Sequence, residues 1–345
     1  MKPLLLTTLL MTSVLASGQK LFFTSQQSFA TKQPNKFYSS ITLNDSLLLF
    51  NARDYNLYAY NKTTGQQLWV YNLGWQSNVP PFVAGSFIWA NTKEGTSVQL
   101  DLKGTRLKTL PFSIETQPVI KNNRLYTTGI YDGGCILAYD MVADSIVWKR
   151  FLAHGCSRQP YYFADKMIAN AEGNHWLEIN YEGRLKNAAC ETEESNYPSE
   201  LSCAEEFLAL THDQKKITGR LAEDMAADDF NGPEIFTTTK NSFILADGRL
   251  TIIGNKLRKQ ASITLTDLSD AIEEDNDAFA KILKADDEKV WIAYSNQLLV
   301  LQYKKQKLLS AIDLTQWMPH QAVLENNRLW LISKNDGLLY GLTVE

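Results

Sequence analysis

The sequence predicts an all-β chain built from four-stranded antiparallel sheets arranged in a closed ring, a β-propeller. Two observations carry this: internal repeats with a period of about forty residues, and short turn-separated strands inside each repeat. A third, a last repeat one strand short, predicts how the ring closes. Tyr58 to Trp69 (YAYNKTTGQQLW) matches Leu137 to Trp148 (LAYDMVADSIVW), and the two tryptophans are 79 positions apart, two repeat units. A second pattern, Gln117 to Tyr126, recurs at Gln321 to Trp330, with weaker copies at Gln159 to Ile168 and Pro80 to Trp89.

Each repeat reads as four strands. In the third, segments 116–121, 124–131, 135–140 and 145–152 are parted by Asn122-Asn123, Asp132-Gly133-Gly134 and Ala143-Asp144, which are turn residues. Leu47–Phe50, Val290–Ala293 and Leu298–Leu301 are apolar on both sides, as strands between two neighbouring sheets must be. Repeats fall at 39–73, 77–112, 115–152, 156–190, 232–267, 278–314 and 320–345. The last has three strands, and Lys20–Thr24 at the other end of the chain is expected to supply the fourth. Seven blades result. Residues 191–231 are expected to be an insertion after the fourth blade, since 191–229 carry 11 acidic and 3 basic side chains, although the strand-like Phe207–Leu210 leaves an eighth blade possible.

Residues 1–18 have the pattern of a secretory leader: Lys2, an apolar stretch from Leu4 to Leu15, then Ala16-Ser17-Gly18 before Gln19. The stretch falls short of the ~20 apolar residues a spanning helix needs, and no later run reaches that length. No Cys follows the cleavage point, so no lipid anchor is indicated. A periplasmic or secreted monomer, residues 19–345, is expected. Its charge, with 33 basic and 38 acidic residues left after cleavage, argues against a nucleic-acid partner. Four cysteines, Cys135, Cys156, Cys190 and Cys203, are expected to pair as disulfides in an exported chain, as Cys135–Cys156 and Cys190–Cys203.

Asn61, Thr64, Gly65 and Trp69, and again Asp140 and Trp148, resemble the pyrroloquinoline-quinone-type (PQQ-like) propeller repeat, whose blades carry a pattern like Ala-x-Asp-x-x-Thr-Gly-x-x-x-Trp. In repeat type the chain is similar to the repeat lipoprotein of the outer-membrane barrel assembly machinery, without that protein's lipid-anchor Cys. The resemblance implies a propeller in which these six residues are structural. The quinone enzymes of the family carry adjacent cysteines over the cofactor, and this chain has no Cys-Cys pair, so no cofactor is expected.

Strands in a blade alternate in direction, so second-to-third turns and interblade links share one face. Cys135, Cys156, Cys190, Cys203, the acidic insertion and the acidic link 268–278 are all expected there. So are the candidate partner-binding residues Trp75, His154, Arg158, Trp317 and His320, although Trp75 and Trp317 also suit a role as caps on blade ends. Gln117, Gln159 and Gln321 share one repeat position at the start of the innermost strand; they suit either lining the central channel or satisfying backbone groups between blades. Hydrolase, zinc-protease and P-loop motifs are absent from the sequence. The expected function is a non-enzymatic scaffold that binds a protein or peptide, with no catalytic or metal residues. The alternative is a lyase or hydrolase acting on a glycan or peptide at the channel mouth.

Overall fold

A strand that is apolar on both sides needs cover on both sides. Leu47–Asn51 is buried at every position, and the sheets before and after it supply the cover. The structure, a computed structural model, describes residues 19–28, 41–171, 175–186, 234–238, 240–246, 248–254, 259–270, 272 and 280–344, with short strand segments at 205–206, 208–209 and 216–217.

The described residues form a seven-bladed propeller of antiparallel sheets. From the innermost strand outward, blade 1 is Thr42–Leu43, Leu47–Asn51, Asn56–Asn61 and Gln67–Asn72. Blade 2 is Phe82–Ala84, Phe87–Asn91, Ser97–Asp101 and Arg106–Leu110. In blade 3 the innermost strand is split into Ser113–Ile114 and Val119–Lys121; both pair with Arg124–Ile130, followed by Gly134–Asp140 and Ser145–Phe151. Blade 4 has Tyr161–Tyr162, Lys166–Asn170 and His175–Asn180, blade 5 Glu234–Thr237, Asn241–Ala246, Arg249–Gly254 and Lys259–Thr264, and blade 6 Lys281–Ala285, Lys289–Tyr294, Gln297–Gln302 and Lys307–Asp313. Blade 7 takes Pro319–Glu325, Arg328–Ser333 and Leu338–Val344 from the end of the chain and its outermost strand, Gln19–Ser28, from the beginning. Gln19 pairs with Val344 and Ser28 with Leu338, so the expected closure by an N-terminal strand is observed, over a longer stretch than Lys20–Thr24.

The repeat motif explains how one blade grips the next. Asn61 Oδ1 accepts the backbone N–H groups of Thr63 and Thr64, both at 2.9 Å, and shapes the turn between the third and fourth strands. Asp140 does the same for Val142 and Ala143, and these donors hold its carboxyl below the usual range. The motif tryptophan docks on the matching turn of the following blade. Trp69 Nε1 donates to Leu102 O at 3.0 Å and its ring lies over Gly104; Trp148 Nε1 donates to Tyr181 O at 3.1 Å and its ring lies over Gly183. Both glycines have positive φ, +81 and +82, and a Cβ on either would fall 2.6 Å from the indole. In blade 7 Phe23 takes the tryptophan's place, 3.2 Å from where a Cβ on Gly65 would lie. In blade 2 the place is held by Lys108, and the turn it meets has Asp144, at φ 55, in place of glycine. Lys108 Nζ bonds Asp144 Oδ1 at 2.9 Å and Met141 O at 3.0 Å. A ring stacked on glycine is thus exchanged for an ion pair at one blade junction.

Outer strands carry a one-residue bulge at a recurring place, opposite Ala59/Tyr60, Gln99/Leu100, Ala138/Tyr139, Ile252/Ile253 and Val300/Leu301, and between Leu21 and Phe23. The extra residues, among them Leu68, Leu107, Val147, Leu309 and Phe22, point outward and are exposed. Bulges twist an edge away from further pairing, which protects the rim.

Blade 4 departs from the sequence reading. Its fourth strand is not complete by residue 190. Leu185 bridges Ile179, and the strand resumes with Glu205–Glu206, which pairs with Trp176 and His175. The chain therefore leaves the outermost strand after Lys186 and rejoins it at Glu205. Cys190, expected on an interblade link, lies outside the described residues. Leu208–Ala209 pairs with Lys216–Ile217 in a two-stranded ribbon, which is not an eighth blade.

Candidate functional site

The second-to-third turns and the interblade links lie on one face of the ring, here called the link face. Buried asparagines at the ends of second strands hold the links. Asn51 Nδ2 donates to Trp75 O at 3.1 Å, and Asn51 Oδ1 accepts Ser77 N–H at 2.7 Å. Asn91 repeats the device one blade on, donating to Ile114 O and accepting Ile114 N–H, both at 2.9 Å. Asn170 is buried at the same repeat position. These clasps keep link backbones rigid where water would otherwise compete for their polar groups.

Trp75 is consequently presented on a fixed backbone with 45% of its surface exposed. The neighbouring turn of blade 1 is tied to the same link by Leu73 N–H donating to Tyr55 O at 2.9 Å. His154 is exposed within the single helical turn Ala153–Ser157, and Arg158, partly exposed, follows it. His320 is partly exposed on the innermost strand of blade 7. Trp317 takes the second of the two roles expected for it. It is 7% exposed and packs with Leu314, Leu324 and Tyr340, as a cap on the end of the blade, while the next residue, Met318, faces solvent. Four of the five candidates thus occupy three separate links on one face, between blades 1 and 2, 3 and 4, and 6 and 7, and His320 stands at the start of the innermost strand of blade 7.

At the channel, Gln117 and Gln159 join neighbouring blades. Gln117 Nε2 donates to Val83 O at 2.9 Å, while the Gln159 amide accepts Gln117 N–H at 2.9 Å and donates to Gln117 O at 3.2 Å. Each side chain reaches back to the backbone of the preceding blade, the second of the two roles the sequence suggested.

Cys135 is buried in the core between blades 2 and 3, and Cys156 in the core between blades 3 and 4. They are free thiols, so the expected Cys135–Cys156 bond is not formed. Cys135 Sγ donates to Gly129 O at 3.5 Å, and burial pushes both thiols up to about 11. Cys190 and Cys203 lie outside the described residues. Glu115, in the interrupted first strand of blade 3, accepts the Ser113 hydroxyl at 2.9 Å; burial pushes its carboxyl up, and this hydrogen bond draws it partly back.

Among the described residues no group of His, Cys, Asp and Glu is placed to hold a metal ion, and no helix is long and apolar enough to cross a membrane. The sequence reading missed the asparagine clasps, although Asn51, Asn91 and Asn170 are spaced by 40 and 79, the repeat period itself.

No family model and no curated protein matches the sequence. Among solved structures, BamB from Moraxella catarrhalis is similar at 16% identity over 88% of this chain and 82% of that one, with a TM-score of 0.48. A computationally designed protein, Ika8, is similar at 12% identity over 93% of this chain and 98% of that one, with a TM-score of 0.52. The likeness to Ika8 is one of fold, and a propeller serves many functions.

Proposed function

We propose that this chain is an exported, non-enzymatic propeller that holds a protein partner on its link face. The observation that carries the reading is Trp75, a large aromatic side chain left exposed on a backbone that buried Asn51 makes rigid. Exposed tryptophan is enriched where proteins meet, and a link already ordered loses little entropy on binding. The leader-like residues 1–18 support export. The amides of Gln117 and Gln159 are engaged with backbone, which favours a structural over a catalytic channel mouth.

Site-specific photo-crosslinking in cells tests the proposal. A crosslinker at Trp75 is expected to capture a discrete protein adduct. One at Val142, which is 78% exposed on the opposite face, is expected to give none. Adducts from Val142 alone, or none from either position, would overturn it.

A further inference from the structure

We infer that a second copy of this chain pairs with the outer edge of blade 1 at residues 70–72, strand against strand, across a two-fold axis at Tyr71; this stands apart from the link-face reading above. An outermost strand has one side of its backbone unpaired, and such an edge accepts another strand unless something blunts it. Leu73 N–H donates to Tyr55 O at 2.9 Å, and the register runs on with Asn72 opposite Asn56, Tyr71 opposite Leu57, Val70 opposite Tyr58 and Trp69 opposite Ala59. Opposed antiparallel residues alternate between exchanging hydrogen bonds and not. Tyr71 and Trp69 therefore bond inward, and the N–H and C=O groups of Val70 and Asn72 point away from the ring. No described residue bonds them.

The other edges are blunted or less open at the matching positions. Blade 2 has Pro111 where blade 1 has Asn72, so no N–H is offered there. In blade 3 Lys149 stands in the place of Val70, and its carbonyl accepts Arg150 Nη1–H at 3.0 Å. Blade 4 has Glu205 and Glu206 in the places of Tyr71 and Asn72. In blade 6 Asp313 matches Asn72, and its carbonyl accepts Gln19 Nε2–H at 3.1 Å. In blade 7 a second register shift, between Thr24 and Ser28, breaks the strand just past the place of Val70. The matching residues of blade 5, Ser262 and Thr264, are partly buried, and their strand carries Lys259. Blade 1 has none of these devices. Gln67–Asn72 contains no charged residue, and Val70 and Asn72 are both exposed. The Asn72 side chain is held by Asn56 and by Gly74 N–H, at 2.8 and 3.1 Å, which leaves its backbone clear.

The shape of the open stretch selects its occupant. It is short, bounded by the bulge at Leu68 and by Gly74 at φ +65. A two-fold axis at Tyr71 sets Val70 opposite Asn72 of the second copy and Asn72 opposite Val70 of the second copy, so every outward group is paired. An axis at Val70 would leave Asn72 facing the bulge, and an axis at Asn72 would leave Val70 facing the turn at Gly74. With the axis at Tyr71, the two Tyr71 rings, partly exposed in the single ring, meet in a close non-hydrogen-bonded pair, and aromatic cross-strand pairs stabilise sheets. No charge is brought against its own kind. A free peptide would gain the same main-chain bonds, but a second copy also brings its own rim, where Leu68 and Val70 are 47% and 43% exposed. Closed two-fold pairing is the commonest form of assembly. The sequence led to the expectation of a monomer; this open, self-complementary edge argues otherwise. So small a contact gives weak association, in the micromolar range or above.

Sedimentation velocity of the purified chain tests this. The weight-average coefficient of the parent is expected to rise between roughly 5 and 500 µM, and that of Val70→Pro to stay at the monomer value. Proline at this position removes only an outward N–H, so the variant is expected to melt with the parent. A parent that stays monomeric throughout, or a folded Val70→Pro that associates as the parent does, would refute the inference. The axis is read separately by cysteine crosslinking in a Cys190→Ser/Cys203→Ser background, with copper-phenanthroline and air as oxidant. Tyr71→Cys is expected to give a disulfide-linked dimer, because facing non-hydrogen-bonded residues lie about 4.5 Å apart at Cα. Arg150→Cys, at the matching place on blade 3, is expected to stay monomeric. Equal dimer from both variants, or none from Tyr71→Cys, overturns the pairing even where Val70→Pro fails to fold. A photo-crosslinker at Val70 in cells is expected to give an adduct of twice the chain mass; adducts with a different protein alone would assign the edge to that protein and refute the second copy.

Discussion

Replacing Gly183 by alanine is expected to destabilise the ring by roughly 2–5 kcal/mol, clearly more than the same change at Gly95. Both glycines have positive φ, +82 and +70, so each substitution places an alanine in left-handed backbone, at about 1–2 kcal/mol. At Gly95 nothing lies within 4 Å of the added Cβ, and that conformational cost is the whole effect. At Gly183 the Cβ would fall 2.6 Å from both Cγ and Cδ2 of Trp148. The indole cannot simply slide, because its Nε1–H is bonded to Tyr181 O at 3.1 Å. Forcing it aside adds the ~1–3 kcal/mol typical of overpacking. In Trp148→Ala/Gly183→Ala the clash has no partner, so the double variant should lose less than the two single losses together. Urea unfolding of the parent, Gly95→Ala, Gly183→Ala, Trp148→Ala and the double variant, compared by midpoint at constant m-value, measures all of these terms. If Gly183→Ala loses no more than Gly95→Ala, the docking of one blade's tryptophan on the next blade's turn is not what holds that junction.

Two further outcomes follow from groups between blades 2, 3 and 4. The Glu115 carboxyl is raised in the folded state above its unfolded value of about 4.3, so its contribution to stability is full below that pH and is lost as pH rises through the folded value. Glu115→Gln should therefore melt higher than the parent at pH 7 and at the same temperature near pH 4; an offset independent of pH would contradict this. With thiols raised to about 11, Cys135 and Cys156 are about one part in a thousand thiolate at pH 8. In a Cys190→Ser/Cys203→Ser background both should resist iodoacetamide until denaturant is added, and equal labelling rates with and without denaturant would show the thiols are not shielded.

The ring was legible in the sequence because its determinants are periodic. Trp69, Lys108 and Trp148 share a repeat position, but only the tryptophans announce it; the lysine is recognisable once Asp144 is seen to replace the turn glycine. Closure was legible from a missing strand, since an unpaired edge has to be covered. The site was less legible. Trp317 and Met318 are adjacent, and a sequence does not say which of two neighbours in a link turns inward; here the larger indole fills the gap between blades. The interrupted fourth strand of blade 4 escaped notice because the piece that resumes it is two glutamates, too short and too polar to read as a strand. The Cys135–Cys156 pairing was inferred from compartment and parity, neither of which specifies how buried thiols are oriented.

The strand that closes the ring is also the first to be synthesised. Gln19–Ser28 finds its partner in Leu338–Val344, so blade 7 cannot form until nearly the whole chain exists. At synthesis rates of ~5–20 residues per second, that strand waits on the order of 15–60 s with Phe22 and Phe23 uncovered. Blades 1 to 6 are free of this constraint, because each takes its strands from one continuous stretch of chain. Completing blade 7 therefore requires a long-range encounter between the two ends. Anything that holds the first ten residues of the described chain in the meantime controls when the molecule is finished.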